Sequence, residues 1–227
     1  MIRAVIFDLD NTLLDFIKMK KSAVSAAVSA MLEAGLDVDP EQAFEDIIGL
    51  YKTKGWENQE VFDDFLRENS GHVNHKYLAA GIVAYRRARE ASLMLYPNVL
   101  RTLVALAKMR VKLVVISDAP TREAWLRIYY LNLHHLFDLV LTFDDIGERK
   151  PSAKGFRLVL KELHLDADEV LMVGDWPERD VVGASKLGIR TVYARYGDTS
   201  VTDDSGANWD VDNIYEVVGI VKSLNEE

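Results

Sequence analysis

Five short, mostly apolar runs constrain the fold more than anything else in the sequence. They cover residues 4–9, 113–117, 139–142, 170–174 and 191–194, and each is bounded by polar residues or glycine. Runs of this kind, rich in β-branched residues, form strands buried on both faces, as in a parallel sheet. Helical patterns separate the later ones. Val99, Leu100, Leu103, Leu106 and Ala107 recur at helical spacing, as do Phe156, Val159, Leu160 and Leu163. Strands alternating with helices of this length predict βαβ units and hence an α/β fold. A short sixth strand over 209–211 and a last helix from about Asn213 extend the pattern.

The stretch after the first run breaks this rhythm. About 75 residues, 16–92, contain no convincing strand. Ala23, Ala26, Ala27, Ala30 and Met31 define one helical face; a second helix is expected after Pro40, a third over 60–68 and a fourth over 77–91. Pro97 marks the return to the α/β pattern. We therefore expect a core of 1–15 and 93–227, interrupted by a helical subdomain over 16–92. The 227 residues, 49% of them apolar, suffice for such a core and a modest second domain.

The formal net charge of −9 argues against nucleic acid or an anionic membrane as a main partner. It remains compatible with a local basic pocket for a phosphate ester. With no cysteine there is no disulfide and no thiolate chemistry, which suits a reducing cytoplasm. No run approaches the roughly 18 apolar residues of a membrane helix, and residues 1–7 have no cleavage-site pattern. A soluble, cytoplasmic protein is expected. No feature specifies an oligomeric state.

The chemistry gathers where the apolar runs end, which is where open α/β sheets bind ligands. The first run closes on Asp8-Leu9-Asp10-Asn11-Thr12, and strand alternation would point Asp8 and Asp10 the same way. Two crowded carboxylates after an apolar strand are costly unless a cation or a proton compensates. Gly174 leads into Asp175-Trp176-Pro177-Glu178-Arg179-Asp180. Asp180 alone reads as an acid at a helix start, but Asp175 beside Asp8 and Asp10 makes an oxygen-rich site suited to a hard cation such as Mg²⁺. Ser117-Asp118-Ala119-Pro120 ends another run before a helix, where a hydroxyl and free backbone N–H groups can hold phosphate oxygens. Lys150-Pro151-Ser152 precedes a further helix, and its lysine could neutralise the carboxylates and hold a phosphate oxygen.

Taken together and in order, these four pieces resemble the motifs of the haloacid dehalogenase superfamily over nearly the whole chain. The insert is placed like that superfamily's first-position α-helical cap. The likeness is to the phosphoglycolate-phosphatase-like branch. It implies a Rossmann-like parallel sheet of order 5-4-1-2-3 and a Mg²⁺-dependent phosphohydrolase acting on a small phosphorylated metabolite. It also implies roles. Asp8 is the nucleophile and Asp10 the acid–base. Ser117, Asp118 and Lys150 hold the phosphate. Asp8, Asp175 and the Asp10 main-chain carbonyl hold the metal. Asp180 orients Lys150 or a metal-bound water. Many relatives have Asn-Gly where this chain has Asp118-Ala119; Asp118 is expected to turn its side chain away and offer its backbone.

Two other readings compete: a phosphomutase on the same scaffold, and a non-catalytic binding or regulatory protein. An idle site has no physical need for so many buried charges. His72, His75, His134 and His135 gather no further ligands, whereas a closed zinc site needs four, so surface or packing roles are expected. Trp176 is expected to pack above the acidic site. Lys18, Lys20 and Lys21 are expected to form a solvated helix face.

Overall fold

The computed structural model describes residues 1–198 and 202–226. They form two compact units, Phe16–Leu93 and the combination of Met1–Asp15 with Met94–Glu227.

The Phe16–Leu93 unit consists of α1 (Phe16–Glu33), α2 (Pro40–Lys54), α3 (Val61–Ser70) and α4 (His75–Ser92). The start signals are local. Asp39 accepts from Gln42 N at 2.8 Å with Pro40 in the first turn, and Asn74 caps α4 by accepting from Lys76 N. On α1 the buried stripe is Ala23, Val24, Ala27, Val28 and Met31, with Ala26 and Ala30 only partly covered. The larger valines, rather than those alanines, carry the packing.

Lys18 and Lys21 are exposed as expected, but Lys20 is 3% exposed, and the expectation of a solvated face fails there. Its ammonium donates to Tyr85 Oη at 2.8 Å and to the Trp56 carbonyl. It also lies 4.4 Å from the centre of the Tyr51 ring and 4.0 Å from Glu57. The four-carbon stem brings the charge into an aromatic box that supplies both π-faces and acceptors. We expect Lys20→Met, which keeps the bulk, to destabilise the protein by about 2–3 kcal/mol, because buried acceptors lose their donor. Thermal melting followed by circular dichroism checks this.

The second unit is built on one sheet. Its strands are β1 (Ala4–Phe7), β2 (Lys112–Ile116), β3 (Leu139–Leu141), β4 (Val170–Gly174), β5 (Arg190–Ala194) and β6 (Trp209–Val211). The order is β3-β2-β1-β4-β5-β6, and every pairing is parallel. Read from the other side this is 5-4-1-2-3 with β6 added beyond β5. β1 and β4 are fully buried, as central parallel strands must be. β3 is a half-buried edge strand, so the expectation of burial on both faces does not hold for it.

The helices of this unit are α5 (Val99–Lys108), α6 (Thr121–Tyr130), α7 (Phe143–Ile146), α8 (Lys154–Leu163), α9 (Asp180–Ser185) and α10 (Glu216–Glu226). Ala4, Ile6, Val114, Ile116, Val170 and Met172 present one sheet face to Phe156, Val159 and Ala184 of the helices. On α5 the buried face is Val99, Thr102, Leu103 and Leu106, while Leu100 is exposed. Thr102 is tolerated inside because its hydroxyl donates to the Asn98 carbonyl. The last helix begins at Glu216 rather than Asn213. The Asn213 side chain instead accepts from Tyr215 N, and Asn213 N donates to Glu216. None of the helices among the described residues is long and apolar enough to cross a membrane.

Candidate active site

β1 stops at Phe7, two residues short of the apolar run, although Asp8 N still donates to Val173 O at 2.9 Å. Asn11 then takes a left-handed φ of 62°, a conformation asparagine tolerates better than most residues. Asp10 lies on this turn, its backbone bridging to Leu14 rather than to the sheet. Strand alternation therefore does not orient Asp10: contrary to expectation, it lies beyond the pleat that would align it with Asp8. Its carboxylate accepts through Oδ2 from Arg127 Nη1 of α6 at 2.7 Å.

Asp8, Asp175 and Asp180 form a buried group in which one carboxylate oxygen of each lies within 4.8 Å of the others. Lys150 sits among them. Its ammonium donates to Asp8 Oδ1 and, at 2.6 Å, to Asp180 Oδ1. Asp180 also accepts from Trp176 N at 3.1 Å through its other oxygen. Gly174 makes this approach possible: a Cβ there would lie 2.3 Å from the Asp180 carboxylate.

Three carboxylates around one ammonium leave the group short of positive charge. Burial pushes the Asp8 carboxyl up to about 7 against the pull of Lys150, with Asp180 and Asp10 adding to the rise. Asp175 is held well above its ordinary value by burial, then by Asp8 and Asp180. Burial alone would lower the Lys150 ammonium, but Asp180, Asp8 and Asp118 outweigh it and hold the lysine well above its ordinary value. Hard oxygen donors, buried and mutually repelling, fit a divalent cation.

Ser117 is buried at the end of β2, and its Oγ accepts from Ala119 N at 3.1 Å. The Asp118 carboxylate accepts from Lys150 N at 3.0 Å and from Arg179 Nη1 at 3.2 Å. It is thus engaged by protein donors and ties the loops after β2 and β4 to the segment before α8. Trp176 is 48% exposed, with the Arg179 guanidinium 3.7 Å above its ring. Histidine takes no part in the carboxylate group. His134 stacks on Tyr129, ring centres 4.3 Å apart.

Two supports escaped the sequence reading. Arg127 lies far from Asp10 in sequence; a charge among the buried positions Ala124 and Ile128 of α6 is the one available signal. Beyond β5, Tyr196 donates its hydroxyl to the Thr12 carbonyl at 2.8 Å, and Thr12 Oγ1 donates to Asp175 Oδ1 at 3.0 Å. The neighbouring Gly197 packs so closely that a Cβ would overlap the Asn11 carbonyl. The position of this segment past a strand end is the cue that could have found it.

A family model described as haloacid dehalogenase-like hydrolase matches residues 5–194. The chain is 34% identical over 230 residues to a glyceraldehyde 3-phosphate phosphatase of Methanocaldococcus jannaschii, covering 100% of both sequences. It is 35% identical to a protein of the same description from Pyrococcus abyssi, over 87% of this chain and 83% of that one. Among solved structures, a HAD phosphatase from Thermococcus onnurineus superposes with a TM-score of 0.69. Its identity is 23%, covering 97% of this chain and 98% of the other, which is a likeness of fold.

Proposed function

We propose that this chain, which belongs to the haloacid dehalogenase-like hydrolases, is a Mg²⁺-dependent phosphatase of small phosphate esters, with Phe16–Leu93 as its cap. The observation that carries the reading is the buried group in which Lys150 bridges Asp8 and Asp180 beside Asp175. The relatives named as glyceraldehyde 3-phosphate phosphatases make that three-carbon ester the first substrate to test.

Asp8 attacks phosphorus; the ester oxygen departs with a proton from Asp10, leaving an aspartyl-phosphate. Water then attacks phosphorus and gives its proton to Asp10, which releases phosphate and restores Asp8. Lys150 and Ser117 hold phosphate oxygens, with Lys150 kept charged and in place by Asp180. Asp118 contributes through its backbone, since its carboxylate is engaged by Lys150 N and Arg179. Mg²⁺ bound by Asp8, Asp175 and the Asp10 carbonyl would offset the repulsion between these carboxylates and the anionic phosphate. Purified protein with Mg²⁺ is expected to release inorganic phosphate from glyceraldehyde 3-phosphate. Transfer of the phosphate between hydroxyls without release would instead indicate a mutase.

The acid role of Asp10 has its own signature. An alkoxide is a poor leaving group and needs a proton, whereas p-nitrophenolate departs with little help. Asp10→Asn should therefore lower kcat/KM on an alkyl phosphate by about a hundredfold or more, and on p-nitrophenyl phosphate by much less. Equal losses on the two esters would remove Asp10 from that role. Displacing a halide needs neither a proton donor nor a cation, so the presence of Asp10 and Asp175 points to phosphate esters, and no chloride release from a 2-haloacid is expected.

A further inference from the structure

We propose that Arg127 is a positioning residue for Asp10, holding the acid–base carboxyl in the orientation that delivers its proton to the leaving group. The inference rests on the phosphatase reading above and extends it to a residue outside the motifs.

Arg127 sits on the last turn of α6, and its side chain is 7% exposed. Burying a guanidinium is costly unless it is paired, and an apolar side chain would pack this face of α6 at no such cost. Its Nη1 meets Asp10 Oδ2 at 2.7 Å, a short charge-assisted hydrogen bond. Glu123, one turn earlier on the same helix, is also buried.

Asp10 needs such a hold because its backbone does not provide one. β1 ends at Phe7, and Asp10 lies on a turn whose next residue has a left-handed φ. A carboxyl on a turn can rotate about χ1 and χ2, and misplacement by about 1 Å can cost two orders of magnitude in rate. The bond from the Arg127 guanidinium anchors Oδ2 and so restrains the rotation of the carboxyl. The pairing is compatible with both halves of the reaction, since a carboxyl can carry its proton on Oδ1 while Oδ2 accepts from Arg127.

A positioning role predicts a particular kinetic signature. Loss of Arg127 should harm the substrates that need the proton and spare those that do not. A purely structural ion pair would lower both rates together, through the folded fraction or through general distortion. The ratio of kcat/KM on glyceraldehyde 3-phosphate to that on p-nitrophenyl phosphate is independent of the folded fraction. Arg127→Met, which retains volume, is expected to lower that ratio by about tenfold or more. In an Asp10→Asn background the same substitution should change the ratio by less than about twofold, because the group it positions is gone.

An unchanged ratio in Arg127→Met, beside a falling ratio in Asp10→Asn, overturns the inference and leaves the phosphatase reading intact. An equal fall in both backgrounds overturns it as well, since Arg127 would then act without Asp10. Wild-type protein that releases phosphate from neither ester overturns the reading itself, and the inference with it.

Discussion

Asp8→Asn is expected to abolish turnover while the protein keeps its fold. An amide offers no anionic oxygen to attack phosphorus, so the rate should fall by at least about a thousandfold, as when other covalent nucleophiles are removed. The amide carbonyl can still accept from the Lys150 ammonium, so the local geometry survives. Stability should move the other way. The Asp8 carboxyl lies near 7 in the fold, against an ordinary value of 3.8, because it is buried. A raised carboxyl binds its proton more tightly in the folded chain. Its contribution to stability is therefore full below about pH 4 and lost as pH rises through about 7. Asparagine mimics the protonated form at every pH. With chelator present, Asp8→Asn should melt higher than the wild type at pH 8, and the difference should shrink toward pH 4. Phosphate release and thermal melting measure the two halves. More than a few per cent of wild-type activity in pure Asp8→Asn would remove Asp8 from the role of nucleophile.

The sequence carried the fold well because buried parallel strands write themselves as unbroken apolar runs. Val170–Gly174 is the clearest case, identical in the run and in the strand. Ends were less legible. The run through Leu9 continues past β1 because Leu9 is a core residue on a turn, and hydrophobicity does not distinguish a buried turn from a strand. The candidate site was legible where chemistry directly follows a strand, as at Asp8 and Asp175; the structure joins to them Lys150, which precedes α8, and Asp180, which opens α9. Contacts made by long side chains were not. Lys20 shares a run with Lys18 and Lys21, and partners distant in sequence, the Tyr51 ring, the Tyr85 hydroxyl and the Trp56 carbonyl, draw it inward. Arg127 and Asp10 pair across 117 positions, and Tyr196 reaches Thr12 across 184. No local periodicity encodes such partners. Asp118 is intermediate: a departure from the family's pattern drew attention to it, but its bond to Arg179 depends on how two loops meet.

Activity is expected to require a divalent cation, with Mg²⁺ supporting it and Ca²⁺ inhibiting. Without a cation, Asp8, Asp175 and Asp180 share one ammonium, and burial holds Asp8 and Asp175 toward their protonated forms. A protonated Asp8 is no nucleophile, and an ionised one repels the phosphate. A bound dication answers both difficulties at once, since it favours the carboxylate and attracts the dianion. Exhaustive chelation should therefore lower the rate by about a hundredfold or more, and Mg²⁺ should restore it. Ca²⁺ is larger and accepts more oxygens, so it can engage both oxygens of Asp8 and withhold the one that must attack. A second readout does not depend on turnover. Mg²⁺ binding to the folded chain should raise the melting temperature of the chelator-treated protein in a concentration-dependent way. That rise should shrink in Asp175→Asn, which removes a ligand charge yet keeps an acceptor for Thr12 Oγ1. Full activity after chelation, or a Mg²⁺-induced rise undiminished in Asp175→Asn, would show that these carboxylates do not work by holding a cation.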